Sequence, residues 1–382
     1  MNRTHDLLNV GAFTGLLGGL CLWSLAGMTG FAVAKDTPVL NGKLAQAFES
    51  HYDEAFPVKQ LGTNLWALVD FALFEEGRQG VVIGEDGWLY SDEEFDPVAD
   101  GTRHMRDNLA LIKGVRDELA RRDVQLVLAI VPAKSRLYPE HVGEAEPTAL
   151  RQDLYQRFHG AVRRAGITAP DLLSTLEAAK DQGQVFLRTD THWTPLGAEA
   201  AAGRLGQAVG SLPPLDGEHR AYVTEVQGQE PYKGDLTRFL PLDPLFASLM
   251  PAPDQLQKRS TRSLDEGEAG ADALFAEHRV PVALVGTSYS ANERWNFAGA
   301  LRQALQRDLV NHAEDGHGPI LPMLKYLRSE ELKSAPPQLV IWEFPERYLP
   351  MHSDLSEFDP EWVAGLRKAG AGDERLASRT GD

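Results

Sequence analysis

An α/β fold, built on a mainly parallel sheet with helices on its faces, is what this sequence predicts. Three observations carry that expectation. The stretches 124–131, 282–285 and 338–343 are apolar almost throughout, and strands without a polar face are buried on both faces, as parallel strands between helix layers are. Stretches with apolar residues at helical spacing stand around them, at 109–121, 150–165, 196–209 and 292–305, and alternating strands and helices build a parallel sheet. Turn signals close the strands: Pro132 ends the first, and Gly286 ends the second.

Taken in order, the chain opens on an apolar run. Between Asp6 and Lys35 lie 28 residues without a charge, and about 20 apolar residues suffice to span a bilayer. Arg3 is the one basic residue ahead of the run (with His5 neutral), so the positive-inside rule keeps the N-terminus in the cytoplasm and exports the rest. Residues 1–35 read as an uncleaved anchor, because the run is longer than the apolar core of a signal peptide, about 7–15 residues. Ala32-Val-Ala34 would serve as the cleavage site in the alternative, a removed signal. A polar linker then leads to helices expected at 44–56 and 61–74. Residues 81–90 read as a hairpin around Glu85-Asp-Gly87. A helix at 109–121, a strand at 124–131, a helix at 150–165 and a short strand at 167–172 follow. Residues 185–187 lead into a turn that carries Asp190 and His192, and a helix covers 196–209. Residues 212–279, rich in Pro, Gly, Asp and Glu, show little periodicity and are expected as an irregular insertion in one domain of 36–367. The small, polar residues 368–382 are expected to form a flexible tail.

The formal net charge of −17 over 382 residues excludes a nucleic-acid partner, which needs basic surface. The one cysteine, Cys21, lies in the apolar run. The exported part therefore has no disulfide, thiol nucleophile or cysteine metal site, which suits a bacterial periplasm.

Ser288 follows Gly286 where an apolar strand turns toward a helix, a place where backbone N–H groups are free to bind an anion. A serine hydroxyl needs a base to act as a nucleophile. Asp190 and His192, two residues apart, supply a carboxylate and an imidazole able to leave one side of an extended segment. A histidine takes the serine proton, and the carboxylate fixes its tautomer. The plainer reading of the same residues has Asp190 capping a helix near Trp193, with His192 and Ser288 as ordinary loop residues. Gly286-Thr-Ser-Tyr-Ser290 also lacks the Gly-x-Ser-x-Gly pattern of a nucleophile elbow.

Asp190-Thr-His-Trp193 together with Gly286-Thr-Ser-Tyr-Ser290 resembles the alginate O-acetyltransferase family (AlgJ/AlgX type). The resemblance runs from about 39 to 350 and includes Gly84-Glu-Asp-Gly-Trp-Leu-Tyr90, Val131-Pro-Ala-Lys134, Gly234-Asp-Leu-Thr237 and Trp342-Glu-Phe-Pro-Glu-Arg347. It implies an SGNH-hydrolase-like three-layer sandwich with circularly permuted motif order, the Asp-x-His pair preceding the serine. It also implies Ser288, His192 and Asp190 as nucleophile, base and orienter. No carbohydrate-binding module is expected after the catalytic part, so the resemblance is to the membrane-anchored AlgJ type.

The activity so implied is transfer of acetyl groups to an exported polysaccharide, with mannuronate units of alginate as acceptor. The implied partners are that exopolysaccharide, a membrane-bound acetyl donor and other periplasmic acetylation and export components. An acetylesterase, or a non-catalytic polymer-guiding protein, is the alternative. Tyr289 and Trp193 flank the site, placed either to stack on a pyranose or to pack. Lys134 either binds a sugar carboxylate or is a solvated loop lysine. Arg347 either contacts substrate or pairs with Glu343 or Glu346. A cluster of Lys and Arg is expected along the groove, because the net charge opposes a uronate polymer. No cofactor and no metal centre is expected: there is no His-Glu-x-x-His, and the remaining histidines are scattered.

Overall fold

The computed structural model describes residues 3–28, 31–32, 42–54, 56–217, 219–264 and 280–377. The chain divides into two compact units, one of residues 1–78 with 238–250 and one of 79–237 with 251–382. The sequence had suggested a single domain from 36 to 367.

The first unit contains α1 (Arg3–Ser24), α2 (Lys43–Glu54) and α3 (Pro57–Val69), which continues as one π turn (Asp70–Phe74). Pro57 suits the first turn of α3, where its missing N–H would have had no partner. Residues 238–250 are fastened to α3 by the Asn64 amide, which donates to the carbonyls of Pro241 and Asp243, the latter at 2.8 Å. Nearly all the exposed large hydrophobic side chains among the described residues belong to this unit, including Leu8, Phe13, Leu17, Leu22 and Trp23 of α1 and Trp66, Leu73 and Phe74 beyond it; Val226 and Leu264 are the exceptions. Among the described residues no helix is long and apolar enough to cross a membrane. Residues 29–30 and 33–35 of the apolar run lie outside them.

The second unit opens with a hairpin, β1 (Val81–Ile83) against β2 (Leu89–Ser91), turning through a 3₁₀ segment at Glu85–Gly87 as the turn residues indicated. Then come α4 (Gly101–Ala120), β3 (Gln125–Val131), α5 (Lys134–Leu137), α6 (Ala149–Gln152), α7 (Leu154–Arg164), α8 (Leu172–Ala179) and α9 (Pro195–Val209). The excursion supplies β4 (Tyr222–Tyr232) and β5 (Asp254–Ser263). The rest is β6 (Val282–Val285), α10 (Ser288–Ala291), α11 (Phe297–Leu305), β7 (Leu309–Asn311), α12 (Ile320–Arg328), α13 (Glu330–Ser334), β8 (Leu339–Pro345) and α14 (Pro360–Ala377).

Four of these strands form one sheet in the order β3-β8-β6-β7, every pair parallel. All seven residues of β8 and all four of β6 are buried, so the sheet is covered on both faces, as their apolar sequences require. Helix α4 packs on β3 and is itself packed by α14, while α9 packs on β3, α8 and α11. The parallel order places the C-terminal ends of β3, β8 and β6 side by side, and the loops that leave those ends build the site described below.

Four expectations change. Residues 222–232 and 254–263 are not irregular: they pair as a long antiparallel ribbon, with a bulge between Val226 and Gln229. Every β4 side chain is at least partly exposed, and the positions that β5 turns inward, among them Asp254, Leu256 and Ser263, are mostly polar, so the ribbon leaves no apolar alternation to read; residues 265–279 lie outside the described ones. At 167–172 the chain makes a single bridge, Thr168 to Val127, and Asp171 then caps α8 by accepting from the Ser174 N–H. The helical spacing of 292–305 is interrupted, because Asn292 caps a new turn and Asn296 takes a left-handed conformation, φ 53°, before α11. Residues 368–377 are helical and continue α14, in which Val363, Leu366 and Gly370 are buried; 378–382 lie outside the described residues.

Candidate active site

Strand β6 ends at Val285, and Gly286 and Thr287 carry the chain into α10, whose first residue is Ser288. Thr287 caps that short helix. The neighbouring strand end, on β8, reaches under the turn with Glu343, which accepts the Thr287 N–H at 2.7 Å and the hydroxyl of Ser290 at 3.1 Å. A Cβ on Gly286 would stand 2.5 Å from that carboxylate, so glycine is what lets the two strand ends approach.

The second turn, residues 188–193, lies against the first. Asp254, at the start of β5, accepts from the N–H groups of Arg188 at 2.8 Å and Thr189 at 2.9 Å. Asp235 accepts from the Thr191 N–H at 2.8 Å. Gly234 makes room beneath: a Cβ there would meet the Thr189 carbonyl at 2.2 Å. These contacts come from the excursion that the sequence left unassigned.

The two turns bring three predicted residues together. His192 Nε2 is 2.7 Å from Ser288 Oγ, and His192 Nδ1 is 2.6 Å from Asp190 Oδ1. Asp190 also accepts from the His192 N–H at 2.9 Å, the Tyr232 hydroxyl at 2.9 Å and the Asp235 N–H at 2.8 Å. Burial opposes its ionisation, but the hydrogen bond and charge of His192 and the two backbone N–H groups outweigh that and hold the carboxyl down at about 2. An ionised Asp190 requires Nδ1 to donate, which leaves Nε2 to accept the serine proton. The imidazole lies between two aromatic rings, Tyr289 at 4.7 Å and Trp295 at 5.2 Å, the latter nearly parallel at 23°.

The four residues considered as substrate contacts are elsewhere engaged. Lys134 is 1% exposed, and its ammonium donates to the carbonyls of Leu89, Arg188 and Asp190. It is neither solvated nor open to a sugar carboxylate; it ties the turn that carries Asp190 to the end of β3. Arg347 is also buried and pairs with Glu93 at 2.8 Å, not with Glu343 or Glu346. Tyr289 is buried beneath His192, accepting from Arg347 at 3.1 Å and donating to the Thr191 carbonyl at 2.7 Å. Trp193, fully buried, donates to the Tyr289 carbonyl at 3.2 Å. All four are held by contacts inside the protein, and Arg347 also lines a cavity with Arg136 and Arg151. The exposed charges flanking Tyr232 and Trp295 in the chain are mixed, Lys233 and Arg294 with Glu293.

Asp190, His192 and Asp235 place one ligand atom each within 4.8 Å of one another. Asp190 nevertheless has its lone-pair directions taken by four donors, and Nδ1 of His192 is one of those donors. A cation at this point would confront their hydrogens. The trio fits a proton-handling pair with an adjacent carboxylate better than a metal centre.

Comparison with known proteins places the chain. Residues 81–346 match the family model described as the SGNH hydrolase-like domain of the acetyltransferase AlgX. The chain belongs to this family of SGNH hydrolase-like acetyltransferases. It is similar over nearly its whole length to the probable alginate O-acetylases AlgJ of Pseudomonas syringae pv. tomato (61% identity, covering 99% of this chain and 96% of that one) and Azotobacter vinelandii (62%, 100% and 98%). Among solved structures, the O-acetyltransferase domain of Pseudomonas putida AlgJ covers 76% of this chain and 100% of its own, with a TM-score of 0.71 at 58% identity. Pseudomonas aeruginosa AlgX shares the fold, with a TM-score of 0.54 at 24% identity over 71% of this chain and 66% of that one.

Within that family site, sequence reasoning did not single out Tyr232, Asp235, Trp295 or Glu343 as parts of the machinery. Asp235 and Glu343 carried a signal, their places in Gly234-Asp-Leu-Thr237 and Trp342-Glu-Phe-Pro-Glu-Arg347. Tyr232 and Trp295 are single residues in stretches with no distinctive pattern.

Proposed function

We propose that this protein is an O-acetyltransferase that moves acetyl groups onto hydroxyls of an exported polysaccharide, mannuronate residues of alginate, through an acetyl-enzyme on Ser288. The observation that carries the reading is the unbroken hydrogen-bonded line from Ser288 Oγ through the His192 imidazole to Asp190. The names of the similar AlgJ proteins support alginate as the acceptor.

In the first step His192 Nε2 removes the Ser288 proton as Oγ bonds to the acetyl carbon. The bond from that carbon to the donor breaks, and the donor's leaving atom takes the proton from His192. In the second step a sugar hydroxyl loses its proton to His192 and attacks the same carbon. The Ser288 ester bond breaks, and Oγ recovers the proton. Asp190 stabilises the imidazolium in both steps. The Ser288 N–H, in the first turn of α10, has no carbonyl a turn earlier to bond and is placed to donate to the oxyanion.

The same reading has the protein acting in the periplasm, held at the inner membrane through α1 and supplied by a membrane-bound acetyl donor. The exposed apolar side chains of the first unit support that placement. The test is the acetyl content of secreted polymer from cells carrying the wild-type chain or Ser288→Ala. Loss of acetylation in the variant, with polymer yield unchanged, is the expected result. Unchanged acetylation would reduce the protein to a guiding role, and release of acetate without transfer to an oligosaccharide would make it an esterase. Alkaline carbonate washing of membranes tests the attachment: the chain should stay with the pellet.

A further inference from the structure

Glu343 is an acid that the acyl-transfer steps do not use. It stands near the end of β8, wholly buried, facing Ala129 of β3 on one side and Gly286, just past β6, on the other. Its oxygens accept from the Thr287 N–H at 2.7 Å, the Thr287 hydroxyl at 3.0 and 3.1 Å and the Ser290 hydroxyl at 3.1 Å. Ser288 lies between the two residues so held. A buried carboxylate is a poor means of stabilising a strand end, since burial opposes its charge and an apolar residue of similar size packs at least as well. What a carboxylate does and an apolar residue cannot is fix the direction of several donors at once.

We propose that Glu343 is a positioning residue for acyl transfer: by holding Thr287 and Ser290 on either side of the nucleophile, it sets the directions of Ser288 Oγ and the Ser288 N–H toward the acyl carbonyl. The inference rests on the acyl-serine reading of the site. Rotation of the Thr287–Ser288 peptide would turn the N–H away from the oxyanion and carry Oγ away from His192 Nε2, so one carboxylate governs both. The charged and titratable groups that reach Glu343 are Arg347, just beyond β8, and Tyr289 of α10. Ala129 and Gly286 bring none. Burial pushes the carboxyl up to about 7, against the hydrogen bonds of Thr287 and Ser290 and the charge of Arg347. The neutral acid keeps Oε2 for the Thr287 N–H and can donate from Oε1 to the Thr287 hydroxyl, so protonation weakens the hold on the turn without releasing it.

The experiment follows acylation of the full chain by p-nitrophenyl acetate. The Ser288 Oγ–acetyl bond forms, the bond to p-nitrophenolate breaks, and the serine proton passes to His192. The initial release of p-nitrophenolate is measured across pH 5–9 for the wild type, Glu343→Gln, Glu343→Leu and Ser288→Ala. Glu343→Leu should lower the acylation rate by about 100-fold or more with KM unchanged, the scale of losing an oriented oxyanion donor. Glu343→Gln keeps an oxygen for the Thr287 N–H. It should retain activity within about 10-fold of wild type and lose the part of the pH dependence that Glu343 adds to that of the His192 base. A folded Glu343→Leu with the wild-type rate, or a Glu343→Gln that keeps the wild-type pH profile, overturns the proposal. If Glu343→Leu does not fold, the Glu343→Gln profile decides. A release that persists in Ser288→Ala overturns the acyl-serine reading and this proposal with it. A release that needs Ser288 but ignores Glu343 removes this proposal alone.

Discussion

Tyr289 and Trp193 bind each other's turn. The Trp193 indole donates to the Tyr289 carbonyl at 3.2 Å, their rings meet edge to face at 5.2 Å, and the Tyr289 hydroxyl donates to the Thr191 carbonyl at 2.7 Å. The nucleophile and the base come from turns 96 positions apart in the chain, and this exchange holds them in register. Tyr289→Phe leaves the buried Thr191 carbonyl without its donor and takes from Arg347 one of its acceptors, Glu93 remaining. The expected cost is about 1–3 kcal/mol, read as a lower urea midpoint. Acylation should slow as well, because the 2.7 Å approach of Ser288 to His192 depends on that register.

Lys134 holds the other side of the Asp190 turn, and its removal should be felt as strongly. Lys134→Met removes the ammonium from three carbonyls, of which that of Arg188 keeps the Leu89 N–H at 2.9 Å, and a fall in stability of about 2–4 kcal/mol is expected. A pH signature separates this from ordinary packing loss. Burial pushes the Lys134 ammonium down to about 8, although Glu94, Asp254 and Asp190 pull the other way. Its folded value therefore lies below its unfolded one, so its contribution is fully present above about pH 10 and is lost as pH falls through 8. Wild-type stability should rise between pH 8 and 10 relative to Lys134→Met, and parallel curves would show that burial does not lower the proton affinity of the ammonium.

How much of this was legible beforehand follows from where each signal is stored. The sheet could be read because β3, β6 and β8 are buried on both faces and so apolar at nearly every position. The Ser288 turn could be read because a strand and a glycine announce it. The Asp190–His192 pair was visible as chemistry, but its partnership with Ser288 came from family likeness, since contact between turns leaves no periodic trace. The ribbon of β4 and β5 was missed because β4 is exposed and the side chains that β5 buries, among them Asp254 and Ser263, are mostly polar and leave no apolar alternation. With it went Tyr232, Asp235 and Asp254, which secure the Asp190 turn. Lys134 was read as solvated or sugar-binding because charge suggests solvent, whereas its ammonium caps carbonyls, and the ion pair considered for Arg347 is made with Glu93 rather than Glu343 or Glu346.

Tyr232 tests whether the ribbon is part of the machinery. Its hydroxyl is one of two donors to Asp190 Oδ2, the other being the Asp235 N–H. Tyr232→Phe should leave the fold intact and weaken the hold on the ionised carboxylate. A fall of about 10-fold in kcat with little change in KM is expected. A change confined to KM would instead assign Tyr232 to acceptor binding.

Glu343 gives a stability test whose sign is opposite to that of Lys134. Its carboxyl is raised from an ordinary 4.5 to about 7, so the folded state holds a proton that the unfolded chain has released between those values. The associated stability is fully present below about pH 4.5 and is lost as pH rises through 7, a change of about 3 kcal/mol at most. Glutamine carries no such proton. The wild type should therefore lose stability relative to Glu343→Gln between pH 5 and pH 8, measured by urea unfolding at each pH. The wild-type enzyme is then least stable where Glu343 is ionised and the Thr287 N–H is best held, as expected of a group kept for orientation at the expense of stability. If the two chains lose stability in parallel across that range, the carboxylate is already charged at pH 5, and the change in acylation rate near pH 7 must come from another group.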